Sequence, residues 1–540
     1  MRLKAKKILP AVALLICTAL SVCTLCSCSR AGSGKSVSWL LSTAPRNLDP
    51  QTASSESELL IIKNCFSGLF EKNADGEIFS SMVKHYAVSE DGLQYSFYLY
   101  DDIYWSIYEK REARRYGEIT AQDFAFAIKR LFTDNPNSDV MRTLKSIKNA
   151  DKVLAGEDTS KLGIYCKDDK TLIITLSSKT DALLEAFCSP ALFPCNEQFF
   201  SSTSGRYGLS ADTLIFNGSF LLGAWGESSV KLVRNTQLEN PANLSSVTLY
   251  LPKSTREHVA LLKEGDIDAA LLSSEQYDSL SPKQNFIAQK NTSTVWALVF
   301  NEQHELWQNK NLRDAVILCT DRGVLNPDSN SHFSLTDRII SDTAVCFSEN
   351  YRELTSGICA PKYDSMQAKT LYTQALTELS LSEIYNAEIL IPDKELCKNT
   401  FSALNQVYQR ELSLYFSQSY LTEQAVLSRV KSGDFAAALI GLEISTDAPS
   451  TSLECFVESS PACILPITSG GFSDFFASAQ NSGDAASAAK YYGQAESALY
   501  SSSLVAPLYF ENSYFVTSSS TSGFVRDKSG AVLFHSVDVK

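Results

Sequence analysis

The chain has 540 residues, of which 44% are hydrophobic and 20% charged, and its net charge is −13. These are globular proportions, and the length exceeds the roughly 250–300 residues at which one hydrophobic core stops growing, so two or three domains are expected. The acidic balance makes a poor match for nucleic-acid phosphates, and beyond the N-terminus no stretch offers the ~18 unbroken apolar residues that cross a bilayer.

The N-terminus comes first. Arg2, Lys4, Lys6 and Lys7 precede the apolar run from Ile8, which ends in Leu25-Cys26-Ser27-Cys28. A basic start holds the cytoplasmic side while the run enters the bilayer, and small Ser27 offers a signal peptidase its cut. The segment resembles a bacterial lipoprotein signal, which is read by a leucine three residues before a cysteine. That resemblance implies that residues 1–27 are removed, that Cys28 takes lipid on its sulfur, and that the mature chain is membrane-anchored and extracytoplasmic. Pro10 and the shortness of the run weigh against a permanent span. Residues 28–36 then form a small, polar tether whose Ser29–Ser36 stretch reaches at most about 28 Å. Gly34-Lys35-Ser36 ends like a P-loop, but Ser29 stands where that motif needs glycine, and no strand precedes it.

Val37–Leu41 reads as a strand, Asn47–Pro50 as a turn and Leu59–Phe66 as the start of a helix. Gly92–Tyr100 alternates as a half-buried strand does. Thr120 is placed to cap a helix whose Phe124, Ile128 and Leu131 share a face. Further strands are expected at Thr171–Leu176, from Phe220 toward Trp225, at Val230–Arg234 and at Val247–Leu251. Thr294–Asn301 is expected to close the first long segment and Leu504–Val516 to open the last as a strand pair. A chain that leaves one lobe at the first and returns at the second is a two-lobed α/β body with two crossings.

Export permits disulfides, and Cys188/Cys195 and Cys455/Cys463 are the local candidates, while Cys319 reads as a buried small hydrophobe. No CxxC or Cys/His spacing suggests zinc, so no metal or other cofactor is expected. The five histidines are scattered, with no HExxH, and no GxSxG occurs, so an enzyme is not the expected reading.

The chain resembles a family, the oligopeptide and dipeptide-binding proteins of ABC importers, family 5 type. The resemblance is carried in order by Asn47-Leu48-Asp49-Pro50, Gly68-Leu69-Phe70-Glu71 with Asp75-Gly76, and Gly92 to Trp105-Ser106. It continues through Gly117-Glu118-Ile119-Thr120-Ala121-Gln122-Asp123-Phe124, Phe216-Asn217-Gly218-Ser219-Phe220 with Trp225, Leu232-Val233-Arg234-Asn235 and Gly265-Asp266-Ile267-Asp268-Ala269-Ala270. Most of these residues are structural on physical grounds: Gly265 turns, Thr120 caps, Trp105 packs. The resemblance implies a periplasmic-binding-protein-like (type II) fold with an extra N-terminal subdomain and hinge crossings. Its expected division is 37–66, 191–292 and 509–540 for lobe I, 67–190 for the extra subdomain and 293–508 for lobe II.

By the same resemblance the chain is a monomer that captures peptides between its lobes and delivers them to an ABC permease. Ligand contacts carried over by position are Ser54, Ser55 and Glu56 in one lobe, Gly441, Leu442 and Glu443 in the other, and Trp296, Leu298 and Tyr509 near the crossings. The sequence departs from the family where an aspartate pairs with the peptide amine, because Ser445 stands there. An unpaired buried ammonium is costly, so either Glu443 or Asp447 takes the role or the ligand lacks a free N-terminus. A non-peptide solute, such as an oligosaccharide or a metal chelate, and a sensor or adhesin lipoprotein are the alternatives.

Overall fold

The computed structural model describes residues 34–540 apart from 74–76, 137, 139, 181, 252–256, 326–331, 348, 444–447, 461 and 527–530, with backbone only at 142, 257, 293 and 443. The signal, Cys28, Asp75-Gly76, Ser445 and Asp447 lie outside the described residues.

Strand β1 (Ser36–Leu40) opens the body, and α1 (Glu56–Cys65) follows it after a long loop. That helix starts where it does because Ser55 and Glu58 form a reciprocal cap. The Ser55 hydroxyl accepts from the Glu58 N–H at 3.3 Å while the Glu58 carboxylate accepts from the Ser55 N–H at 3.2 Å. Strands β2 (Val83–Val88), β3 (Gln94–Leu99), β4 (Tyr104–Glu109) and β5 (Glu112–Glu118) come next, then α2 (Ala121–Asp134), β6 (Ile164–Asp168) and β7 (Thr171–Thr175). β2, β3, β7 and β6 form a four-stranded antiparallel sheet, and β4 and β5 a separate hairpin. Thr120 precedes α2 as expected: its N–H donates to Asp123 at 2.8 Å, and Asp123 also receives the Trp105 indole N–H at 3.3 Å. The core under these strands, with Phe97, Trp105 and Phe124, is continuous with Val37 and Trp39 of β1.

The Asn47–Pro50 turn is fastened to α2 by a buried ion pair. Arg130 donates to Asp49 at 2.7 and 3.3 Å and to Gln51 at 2.9 Å, and its guanidinium lies 4.0 Å over the Phe200 ring. Both charged side chains are almost wholly removed from water.

The strands that join β1 in the main sheet are β8 (Phe220–Trp225), β9 (Ser229–Arg234), β10 (Ser246–Tyr250), β11 (Ala269–Ser273), β12 (Phe286–Phe300), β13 (Phe333–Leu335), β14 (Ala387–Pro392), β15 (Phe416–Leu421), β16 (Ala437–Glu443) and β17 (Val505–Ser518). They build one 11-stranded sheet in the order β8-β9-β10-β1-β11-β17-β12-β16-β14-β15, with β13 paired to β17. Its two ends carry different cores. Trp39, Phe216 and Leu249 belong to the first, and Trp296, Trp307, Tyr408 and Phe416 to the second. Among the described strands, β17 contributes to both cores, with Tyr509 in the second and Phe515 in the first, and β12 runs antiparallel beside it.

Two expectations change here. The strand read at Thr294–Asn301 begins at Phe286, because polar Gln289–Thr292 continue pairing with β17 through their backbones. The strand pair read at Leu504–Val516 is one strand: Glu511-Asn512-Ser513 looks like a turn, but the Asn512 N–H donates to the His332 carbonyl at 2.8 Å and its carbonyl accepts from Ser274 at 2.6 Å. The ten cysteines of the described chain are all free thiols. Cys195 faces Arg130 at 3.4 Å and Cys188 donates to the Leu184 carbonyl, so that pair is not bonded. Among the described residues no helix is long and apolar enough to cross a membrane.

Candidate ligand cleft

Ligands of open α/β sheets collect beyond the carboxyl ends of parallel strands, where loops and helix starts leave room. Here β10, β1 and β11 are parallel in lobe I, and β16, β14 and β15 are parallel in lobe II. Register fixes where they end. Ser273, the last residue of β11, pairs with Ser513, and Glu443, the last of β16, pairs with Thr294. The pairing of β12 with β17 slips between Thr292 and Thr294. Both sets of strand ends therefore meet at the level where the two long strands cross between lobes.

On the lobe II side a row runs across three strands: Tyr509 of β17 and Gly441 of β16 both pair with Trp296 of β12. Trp296 is fully buried, and its indole N–H donates to the Glu511 carboxylate at 2.7 Å. The Lys394 ammonium lies 5.1 Å over the same ring and is ion-paired with Glu423 at 2.6 Å. Leu298, Leu442 and Tyr509 are core residues, with Tyr509 packed 4.8 Å from the Phe333 ring, so they hold the crossing strands rather than lie open to the cleft. The Glu443 backbone lies in register with Thr294, which in turn pairs with Glu511.

Among the described residues the outer edge of β16 has no strand partner beyond Ala438. Its pairing with β14 is confined to Ala437 and Ala438, whereas its pairing with β12 runs from Ala437 to Glu443. β14 ends at Pro392, which has no N–H, and the next N–H, that of Asp393, donates to the Leu421 carbonyl at 2.7 Å. The chain thus turns toward β15 and leaves Leu439–Glu443 with a strand partner on one side only.

On the lobe I side, Ser54 and Glu56 are exposed and Ser55 is committed to capping α1. The Ser42 hydroxyl donates to Glu56 at 3.1 Å. Beneath them Glu58 also accepts the N–H groups of Arg46 and Asn47 at 2.9 Å. Burial pushes the Glu58 carboxyl up, but these backbone donors and that of Ser55 outweigh it and hold the group below its ordinary 4.5. Together they tie the loop after β1 to the first turn of α1.

Sequence reading missed Glu511 and Lys394. A signal existed for the first, since Glu511 is an acid between the apolar runs Leu504–Phe510 and Tyr514–Val516. A separate cavity of about 700 Å³, bordered by Ile358, Phe475 and Gln494, lies on lobe II away from the crossings.

Residues 77–462 match the family model described as "Bacterial extracellular solute-binding proteins, family 5 Middle". The chain is similar to a dipeptide-binding protein of Lactococcus lactis, 23% identical over 520 residues that cover 91% of this chain and 92% of that one. Among solved structures it resembles the substrate-binding domain of an oligopeptide ABC transporter from Bacillus anthracis, with a TM-score of 0.69, 22% identity and coverage of 94% of this chain and 99% of that one. It also resembles Listeria monocytogenes OppA bound to peptide, with a TM-score of 0.69, 19% identity and coverage of 94% and 100%. These neighbours share the two-lobed fold. The chain belongs to the bacterial extracellular solute-binding proteins of family 5.

Proposed function

We propose that this chain is the substrate-binding lipoprotein of an ABC importer, moored by lipid at Cys28, which closes its two lobes on a peptide and presents it to a membrane permease. The observation that carries the reading is the open edge of Leu439–Glu443 beside the crossing strands. An extended peptide satisfies its own backbone by adding to such an edge, whatever its side chains are, whereas carbohydrate hydroxyls lack the matching alternation of N–H and C=O along a strand. The dipeptide- and oligopeptide-binding relatives support the same ligand class. Closure follows from differential affinity: a peptide that touches both lobes only when they are shut favours the shut state.

Calorimetry on the full chain in detergent tests the proposal. Unmodified peptides of mixed sequence are expected to bind one to one, and N-methylation of alternate peptide amides to weaken binding by roughly tenfold or more, the worth of one or two backbone hydrogen bonds. Binding of oligosaccharides or metal chelates with none of peptides would overturn it.

A further inference from the structure

We infer that Glu511 is the specificity-determining residue that receives an ammonium group of the ligand, an assignment that rests on the peptide reading above. The carboxylate stands on the second crossing strand, opposite Thr294, at the slip in strand pairing. One of its oxygens is fixed by the Trp296 indole at 2.7 Å, and that indole is itself held in place, fully buried, against the glycine backbone at 441. A side chain oriented by one strong donor keeps acceptor capacity on its second oxygen. No protein donor is bonded to that oxygen among the described residues, and Glu511 is only half-buried.

The facing charges agree with this assignment. Lys394, which interacts electrostatically with Glu511, is ion-paired with Glu423 at 2.6 Å, so the group of Glu511, Lys394 and Glu423 carries one negative charge in excess. A half-buried carboxylate that has exchanged part of its hydration for an indole N–H gains most from a partner that is both charged and a donor. A primary ammonium is such a partner, and it reaches the cleft on a peptide either as the α-amine or as a lysine side chain.

Three peptides distinguish the sources: one with a free N-terminus and no lysine, the same peptide N-acetylated, and the N-acetylated peptide with one internal lysine. In wild-type full-length protein the free-amine or the lysine peptide is expected to bind roughly tenfold or more tighter than the acetylated one. Glu511→Gln keeps an acceptor for Trp296 and is expected to erase that difference. Glu511→Asp, which keeps the charge, is expected to retain part of the preference, and thermal unfolding of both variants checks the fold. A preference for ammonium that survives in Glu511→Gln overturns the assignment and leaves the peptide reading standing. A wild-type protein that binds none of the three peptides overturns both.

Discussion

The backbone of Gly441 lies against the indole of Trp296, so close that a β-carbon there would stand 3.2 Å from the ring and 3.0 Å from the Thr294 methyl. Alanine at 441 must displace the ring or part the strands, because Trp296 is fully buried and has nowhere to relax. Gly441→Ala is expected to lower unfolding free energy by about 1–3 kcal/mol, read from urea denaturation. A midpoint equal to that of the parent would mean the ring has room to spare.

The buried pair of Arg130 and Asp49 gives a second expectation. Removing one partner leaves the other charge buried and alone, so Arg130→Ala and Asp49→Ala should each cost about 3–5 kcal/mol. Combined, they should cost far less than the sum, and a double-mutant cycle measures the coupling. Strict additivity would show that the two side chains act separately.

Glu58 makes stability depend on pH. Its folded-state pKa lies below the ordinary 4.5, so the unfolded chain holds more protons in the acid range, and the stabilisation is present above 4.5 and lost as pH falls through the lower folded value. Glu58→Gln is expected to cost about 1–2 kcal/mol at neutral pH and progressively less in acid. Urea unfolding from pH 7 to about 3 checks the convergence. A constant difference across that range would assign the loss to shape instead of charge.

Anchoring is tested at Cys28. Stable membrane attachment takes more than one acyl chain, and the lipid is expected on that cysteine. Cys28→Ser should move the protein from the detergent phase to the aqueous phase in a cloud-point partition and abolish incorporation of labelled fatty acid. Unchanged partitioning would place the anchor elsewhere.

Local chemistry was the most readable part of the sequence. Thr120 and Asp123 announced the start of α2, and alternation announced β3, because a cap needs residues three apart and a half-buried strand repeats every second residue. The same logic was available at Ser55 and Glu58, where the apolar run beginning at Leu59 drew the helix start too late. The crossing strands were harder. Gln289–Thr292 and Glu511–Ser513 are polar because they bridge two cores, and polarity alone reads as loop. Glu511 gained meaning only when Trp296, 215 residues earlier, was placed beside it. No periodicity encodes such a distance.

The position of β17, between β11 and β12, also bears on synthesis. The described residues of 295–500 contribute to the second core and to no other. The first lobe is assembled differently: its β11 edge stays bare until Ser513–Thr517 pair with it, and Val532 and Phe534 then pack beside Asn64 and Trp39. A nascent chain stalled before Val505 therefore presents two naked sheet edges, which makes β17 the guard against aggregation while the protein folds.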